Sequence, residues 1–157
     1  MNSIAKTTLV LTLALSSFAA FAGEIRNTTI RADDTRNEAS GDDSKAFQHI
    51  GVAFDASSIR DSSIDARGAA NLASGKGSFA HQDIGVAAQG GQLRNVTVIA
   101  RDARNVASGV DSVALQQIGK AIGSGSQLVD VTVNASNAQN VASGRNSRAE
   151  QKIGVAQ

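Results

Sequence analysis

A fifteen-residue pattern occurs four times in the chain at a nearly constant spacing. The pattern is Asn-x-Ala-Ser-Gly-x-x-Ser-x-Ala-x-Gln-x-Ile-Gly, and its copies begin at Asn37, Asn71, Asn105 and Asn140. Successive copies are 34, 34 and 35 residues apart. A fixed period of this length is typical of repeat proteins in which each unit packs against the next. The repeat therefore restricts the fold to a stack of similar units.

The spacing within each copy predicts β-strands. In the third copy the recurring residues are two apart, first from Asn105 to Gly109 and then from Ser112 to Ile118, with variable residues between them. A period of two places the recurring side chains on one face of a strand and the variable ones on the other. Ala and Gln also favour helices, but no apolar stripe at i, i+3 and i+4 accompanies them. We therefore expect the recurring small and amide residues to face inwards.

Each repeat is predicted to form one layer of three strands. A Thr, Val and Ile-rich segment opens each unit, as from Leu93 to Ala100, and such residues favour strands. The spacing of three between Gly109 and Ser112 indicates a turn or arch between the other two strands. Its glycines recur at Gly41, Gly75, Gly109 and Gly144. The predicted fold is an all-β solenoid with repeats at 25–58, 59–92, 93–127 and 128–157.

Stacked layers would bring equivalent side chains about 4.8 Å apart, where they can form ladders. A buried amide is unfavourable unless it is hydrogen-bonded, and amides in register satisfy one another. This explains why polar residues recur at inward positions, with the Ala and Ile columns supplying apolar packing. The predicted ladders are Asn37, Asn71, Asn105 and Asn140; Gln48, Gln82, Gln116 and Gln151; Ser44, Ser78, Ser112 and Ser147; and Ile50, Ile84, Ile118 and Ile153.

The first 22 residues read as a secretory signal peptide. Lys6 supplies the positive charge, Leu9 to Leu15 forms an apolar stretch, and Ala20-Phe-Ala22 fits a cleavage site. The apolar stretch is shorter than the roughly 20 residues of a membrane span, and we expect no transmembrane segment. The mature chain, 23–157, would then be exported through Sec and the periplasm to the cell exterior.

The composition of the mature chain favours self-association over solubility. Removing Lys6 leaves 14 basic and 14 acidic residues, so nothing in the net charge argues for nucleic acid. Cysteine is absent, so the exported chain must be stable without disulfides. Large apolar residues are also scarce, which requires a thin core that small side chains can fill.

The two end repeats differ from each other. The last repeat continues only three residues beyond Gly154 and has no recognisable capping segment, whereas solenoids that stay monomeric usually cap their end layers. In the first repeat Thr35 replaces an Ala, and acidic pairs occur at Asp33-Asp34 and Asp42-Asp43. This layer is either a partial cap or a modified first layer. We expect end-to-end addition of further copies.

The repeat resembles those of bacterial functional amyloids. The string Gly109-Val-Asp-Ser112-Val-Ala114-Leu-Gln116 is similar to the curlin motif, Gly-x-x-Asn-x-Ala followed by Gln. The longer pattern resembles Fap-type fibre subunits, which carry Asn-x-Ala-Ala-Gly-x-x-Asn. The resemblance covers all four repeats from residue 25 onwards. Ser replaces Asn after the turn, the Gln spacing of curlins is longer, and the curlin Tyr and the long Fap linkers are missing.

This resemblance implies a secreted structural subunit that self-assembles into extracellular fibres for biofilm matrix, surface attachment or aggregation. The implied partners are further copies of the chain, a related subunit or nucleator, a periplasmic chaperone and an outer-membrane secretion pore. The resemblance does not distinguish a major subunit from a nucleator.

Other functions have less support in the sequence. His49 and His81 occupy different positions of the repeat, so they do not stack as a metal pair, and we expect no metal site. The acidic residues are scattered over outward positions, and the Ser-Gly turns lack a hydrolase elbow, so we expect neither catalysis nor a cofactor. The remaining alternative is a non-polymerising surface adhesin that binds a glycan or host ligand. The outward positions show no aromatic platform for sugars, which favours the fibre.

Overall fold

The computed structural model describes residues 19–21 and 23–155, which form four stacked layers of β-strands. A short strand, β1 (Ala19–Phe21), precedes layer 1, which holds β2 (Glu24–Arg26), β3 (Thr29–Asp33), β4 (Arg36–Ser40) and β5 (Lys45–Phe54). Layer 2 holds β6 (Ser58–Arg67), β7 (Ala70–Ser74) and β8 (Phe79–Ala88), and layer 3 holds β9 (Gln92–Arg101), β10 (Arg104–Ser108) and β11 (Val113–Ile122). Layer 4 holds β12 (Gln127–Val129), β13 (Thr132–Ser136), β14 (Gln139–Ser143) and β15 (Arg148–Ile153). The predicted all-β solenoid, with about one layer for each 34 residues, is confirmed.

Equivalent strands of successive layers pair in parallel and form three sheets. Sheet A has the order β1-β5-β8-β11-β15, and sheet C has the order β14-β10-β7-β4. Sheet B has the order β12-β9-β6-β2, with β3 paired to β6 and β13 paired to β9. The register follows the sequence repeat, because Asn71 pairs with Asn105 and Gln82 with Gln116. Each column of the repeat is therefore a column of the solenoid.

The prediction of three strands in each layer holds for layers 2 and 3, whereas layers 1 and 4 have four. In the outer layers the first strand is interrupted at Asn27 and at Asp130, which have φ of 51° and 53°. Asp61 and Asn95 occupy the same corner with φ of 50° and 49°, but their strands are continuous. In sheet B the middle layers have a neighbour on both sides, whereas the described strands of each end layer have one on one side only.

The buried apolar residues form three clusters, of which the smallest holds Val52, Val86 and Ala88 of sheet A. A larger cluster lies between sheets A and B, where Ile50, Ile59, Ile64, Ile84 and Leu93 are at most 1% exposed. A smaller cluster of alanines fills the narrow space between sheets A and C. This division explains how the chain forms a core from few large side chains, since only one compartment needs them.

The predicted signal peptide lies outside the described residues except for β1. The described residues include no helix long and apolar enough to cross a membrane.

Candidate functional site

The asparagines form a hydrogen-bonded ladder between sheets A and C. Each Nδ2 donates to the Oδ1 of the next layer, at 2.9 Å from Asn37 to Asn71, 2.8 Å from Asn71 to Asn105 and 2.8 Å from Asn105 to Asn140. The same nitrogens also donate to main-chain carbonyls of sheet A, as from Asn105 to Ala80 and Leu115. The ladder thus satisfies side chains that are fully buried in the middle layers, Asn71 and Asn105.

The glutamines form a second ladder that runs in the opposite direction. Here each Nε2 donates to the Oε1 of the preceding layer, at 2.5 Å from Gln82 to Gln48, 2.6 Å from Gln116 to Gln82 and 2.5 Å from Gln151 to Gln116. In layers 2 to 4 the same nitrogen donates to a main-chain carbonyl within its own layer, at Ala69, Ala103 and Ala138. In layer 1 Gln48 donates instead to the Thr35 hydroxyl at 3.2 Å. The Thr35 hydroxyl therefore serves as the acceptor that a main-chain carbonyl provides in the other layers.

The serines do not form a continuous side-chain ladder. Ser44, Ser78 and Ser112 donate to main-chain carbonyls of the following layer, at Ser74, Ser108 and Ser143. In the described part of the chain one pair of these serines is hydrogen-bonded through its hydroxyls, Ser112 with Ser147 at 2.9 Å. The hydroxyl is short and lies beside the arch, so a carbonyl of the next strand is a nearer acceptor than the next serine.

The arch glycines are required by the stacking itself. Gly41, Gly75, Gly109 and Gly144 have φ between 116° and 129°, a region that L-residues rarely adopt. A Cβ at Gly75 would collide with the Gly41 carbonyl oxygen of the layer before, and Gly109 and Gly144 stand in the same relation to the layers before them. A Cβ at Gly41 would meet nothing within 4 Å, because no layer precedes it among the described residues. One end of the stack therefore has open space where the interior has a tight contact.

The other end of the stack also has open space. Ile50, Ile84 and Ile118 are buried, whereas Ile153 of layer 4 is 42% exposed. The glycine after each isoleucine receives a β-branched side chain from the next layer: Ile64 contacts Gly51, Val98 contacts Gly85 and Val133 contacts Gly119. Gly154, which follows Ile153, has nothing within 4 Å of the position of a Cβ. Layer 4 thus presents an apolar socket that is filled in every earlier layer.

The strands of layer 4 lack a neighbour on their outer side among the described residues, as do β2, β3 and β4 of layer 1. In layer 1 the exception is β5, which pairs with β1 along Val52–Phe54. Exposed parallel edges of this kind carry free N–H and C=O groups and are templates for further pairing.

The corners of the layers are columns of Asn, Asp and Gly with positive φ. In several of them an Asn donates to the Asp of the preceding layer, at 2.8 Å from Asn95 to Asp61 and from Asn137 to Asp102, and at 3.1 Å from Asn146 to Asp111. Asn and Asp tolerate this backbone conformation better than other residues with a side chain. Their alternation keeps two carboxylates from stacking directly on each other.

An aromatic and histidine cluster lies on the outer face of sheet A. The ring of Phe47 is 5.6 Å from that of Phe79 and 6.1 Å from that of His81, measured between centroids, and Phe47 is 50% exposed. The expectation that the outward face has no aromatic platform is therefore wrong. Phe47 and His81 share one column, whereas Phe79 lies in the next column with Lys45. The contact between Phe47 and Phe79 is therefore diagonal, and a search down single columns misses it.

The two histidines meet at a buried carboxylate beside this cluster. His49 and His81 occupy different columns, as predicted, but both contact Asp83, which is 4% exposed. Burial acts to raise the pKa of Asp83, but the hydrogen bonds from His49 and His81 outweigh it and hold the pKa below its ordinary value. Within residues 19–21 and 23–155 no three His, Asp or Glu side chains are arranged to hold a metal ion.

Comparison with protein-family models, curated proteins and solved structures found no match. The geometry of the two end layers and of the aromatic cluster therefore provides the evidence for function.

Proposed function

We propose that this protein is a secreted structural subunit that polymerises head to tail into extracellular amyloid-like fibres. In such a fibre the C-terminal layer of one copy stacks on the N-terminal layer of the next, and the solenoid continues through the junction. The fibre would serve as biofilm matrix or in surface attachment and aggregation. One observation carries the proposal, namely that the two amide ladders end in complementary groups.

The ladder ends have opposite hydrogen-bonding character. The asparagine ladder presents the Asn37 Oδ1 acceptor at the N-terminal end. At the C-terminal end it presents the Asn140 Nδ2, which donates to two main-chain carbonyls, as the Asn105 Nδ2 does beside its ladder bond. The glutamine ladder presents the reverse, with the Gln48 donor at the N-terminal end and the Gln151 Oε1 acceptor at the C-terminal end. A head-to-tail junction pairs both donors with both acceptors. Because equivalent strands stay parallel and in register there, the same join also pairs the free backbone edges.

Shape complementarity supports the same junction. A next copy continuing the column of Ile64, Val98 and Val133 would place its Ile30 over Gly154, where layer 4 has its empty socket. The Gly41 of that copy would meet the Gly144 carbonyl, as Gly75 meets the Gly41 carbonyl within one chain. The open spaces beside Gly154 and Gly41 of the monomer would then both be filled at the junction.

Charge and corner pairing are also compatible with this junction. Asp42 of the next copy would lie over Arg145, in the column that holds Asp42, Lys76, Val110 and Arg145 within one chain. Asn27 of the next copy would lie over Asp130, in the same order as Asn95 over Asp61 within the chain. A related subunit or nucleator with the same repeat could use this junction. A periplasmic chaperone and an outer-membrane pore would handle the chain during export.

The proposal is tested by placing a side chain in the empty socket. Gly154 has φ of 65°, which Asn tolerates, so Gly154→Asn should cost the monomer no more than about 1 kcal/mol. In the fibre the new side chain would collide with Ile30 of the next copy, and we expect seeded elongation to be lost. Elongation is followed by thioflavin fluorescence, and fibre diffraction should show a meridional reflection near roughly 4.8 Å.

A matched glycine provides the control. Gly123 also has positive φ, and a Cβ there would lie 3.9 Å from its nearest neighbour, the Gln89 nitrogen. Gly123→Asn should leave both folding and elongation unchanged. Wild-type protein that stays monomeric under seeding, or normal elongation of Gly154→Asn, would contradict the proposed junction.

A second candidate function, a non-polymerising adhesin that binds a glycan, is favoured by the aromatic cluster. Exposed rings such as Phe47 can stack on the apolar face of a sugar ring. This function predicts that Phe47→Ala weakens binding on a glycan array without changing elongation. Absence of any glycan signal for the wild-type chain would remove the support that the cluster provides.

A further inference from the structure

The N-terminal edge of sheet A is partly occupied by a strand from within the predicted signal peptide. Strand β1 pairs in parallel with the last part of β5, with Ala19 opposite Val52, Ala20 opposite Ala53 and Phe21 opposite Phe54. The other edge of β5 pairs with β8. Strand β1 therefore occupies the position that a preceding layer would take.

The same position belongs to layer 4 of a preceding copy in a head-to-tail fibre. The column of Val52 continues through Val86 and Lys120, and the Val155 carbonyl accepts a hydrogen bond from the Ala121 nitrogen at 3.0 Å. Val155 therefore occupies the layer 4 position of the column that begins with Val52 in layer 1. A parallel strand edge pairs with one strand at a time, so β1 and a preceding copy compete for it.

We propose that the signal peptide caps one end of the solenoid, so that cleavage creates the N-terminal half of the assembly junction. This inference rests on the proposed head-to-tail assembly. Cleavage after Ala22 would remove β1 and uncover the outer edge of β5 at Val52 and Ala53. The uncleaved chain keeps this edge covered and cannot dock its N-terminal layer on another copy.

The cap acts at one end only. Layer 4 has no covering strand among the described residues, so an uncleaved chain can still offer its C-terminal layer to the exposed N-terminal layer of a processed fibre. Once bound there, it presents β1 outwards, and no further copy can add. An uncleaved chain is therefore expected to terminate growth at one fibre end and to leave the other end active.

The test uses fluorescent seeds grown from the exported, processed chain, and single-fibre microscopy of both ends. Full chain 1–157 is added as a minor component to a solution of processed chain. We expect growth to stop at one end and to continue at the other. The control is full chain carrying Ala20→Pro, because proline within β1 disfavours strand pairing while the leader remains present. This variant should no longer stop growth.

The outcomes separate the inference from the proposed function. Unchanged growth at both ends, a block at both ends, or equal blocking by Ala20→Pro would overturn the cap, while processed chains still formed fibres. Processed chain that forms no fibres at all would instead refute the proposed function on which the cap depends.

Discussion

His81 and Asp83 lie two residues apart on β8, and the His81 Nε2 is 2.8 Å from the Asp83 Oδ1. The His49 Nδ1, from the neighbouring layer, lies 3.1 Å from the second carboxylate oxygen of Asp83, Oδ2. Two imidazoles from two layers therefore hold one buried carboxylate on the outer face of sheet A. This contact connects layers 1 and 2 outside the ladders of the interior.

Replacing this carboxylate should destabilise the fold at neutral pH. Asp83→Asn keeps the shape but removes the charge that both histidines bind, and hydrogen bonds to charged groups contribute about 1.5–3 kcal/mol each. We expect a loss of about 2 kcal/mol in the free energy of unfolding, measured by urea denaturation. Asp55→Asn, at an exposed carboxylate with positive φ, is the control and should change stability by less than about 0.5 kcal/mol.

The difference in stability between wild type and Asp83→Asn should depend on pH. Because the pKa of Asp83 is lowered on folding, its carboxylate stabilises the fold above the unfolded value near 3.8, and this contribution is lost as the pH falls through the lower folded value. The stability difference between wild type and Asp83→Asn should therefore narrow below about pH 3.8. A difference that stays constant into acid would show that the histidines do not favour the ionised form.

Interior ladder positions should matter more than end positions. Asn105→Ala removes hydrogen bonds to Asn140 and to two carbonyls, and it removes the side-chain acceptor of the Asn71 amide. We expect a loss of about 3 kcal/mol or more in denaturant unfolding, because several buried groups lose partners together. The comparison is Asn37, a partly buried residue of the end layer, and Asn37→Ala should cost about 1 kcal/mol. Equal losses would contradict the ladder as the source of stability.

The glycine after each isoleucine should not tolerate a side chain in the middle layers. A Cβ at Gly85 would lie 2.5 Å from Val98 Cγ2, and overpacking of this kind costs about 1–3 kcal/mol. Left-handed φ adds about 1 kcal/mol for alanine. Thermal unfolding of Gly85→Ala, Val98→Ala and the double variant should show that the double loses less than the sum of the singles. Additive losses would mean that the two residues do not collide.

Exposed charge at the junction should affect elongation more than folding. Arg145→Asp would place two carboxylates together at the junction and slow elongation by about two- to five-fold, in line with the small energies of exposed pairs. Combining it with Asp42→Lys should restore the rate, because the opposite charges are exchanged. Seeded growth rates measure both effects. A double variant as slow as Arg145→Asp would argue against this register.

The all-β class, the length of a layer, the stacking register and the asparagine and glutamine ladders are readable from the repeat. Each depends on a property that recurs at every copy, such as the period of two around Gln116 or the glycine at Gly109. A parallel in-register stack converts such recurrence directly into columns, and the register of Asn71 with Asn105 follows the sequence without adjustment.

Contacts between columns depend on the tertiary structure. Phe47 meets Phe79 diagonally between two columns, and Asp83 joins His49 of its own column to His81 of the next column. The serine prediction failed for a related reason, because Ser44 selects a carbonyl of the next strand over the hydroxyl of Ser78. Such choices depend on distances across the arch.

The sequence by itself determined that the chain is a β-solenoid of four layers with amide-lined interior columns. Only the tertiary structure decided the direction of each ladder, since side-chain amides can donate towards either neighbour and the nearby carbonyls of Ala80 and Ala103 select between them. The opposed directions distinguish the two ends of the stack. The tertiary structure likewise placed β1 on the edge of β5, because edge pairing depends on which backbone groups are left free.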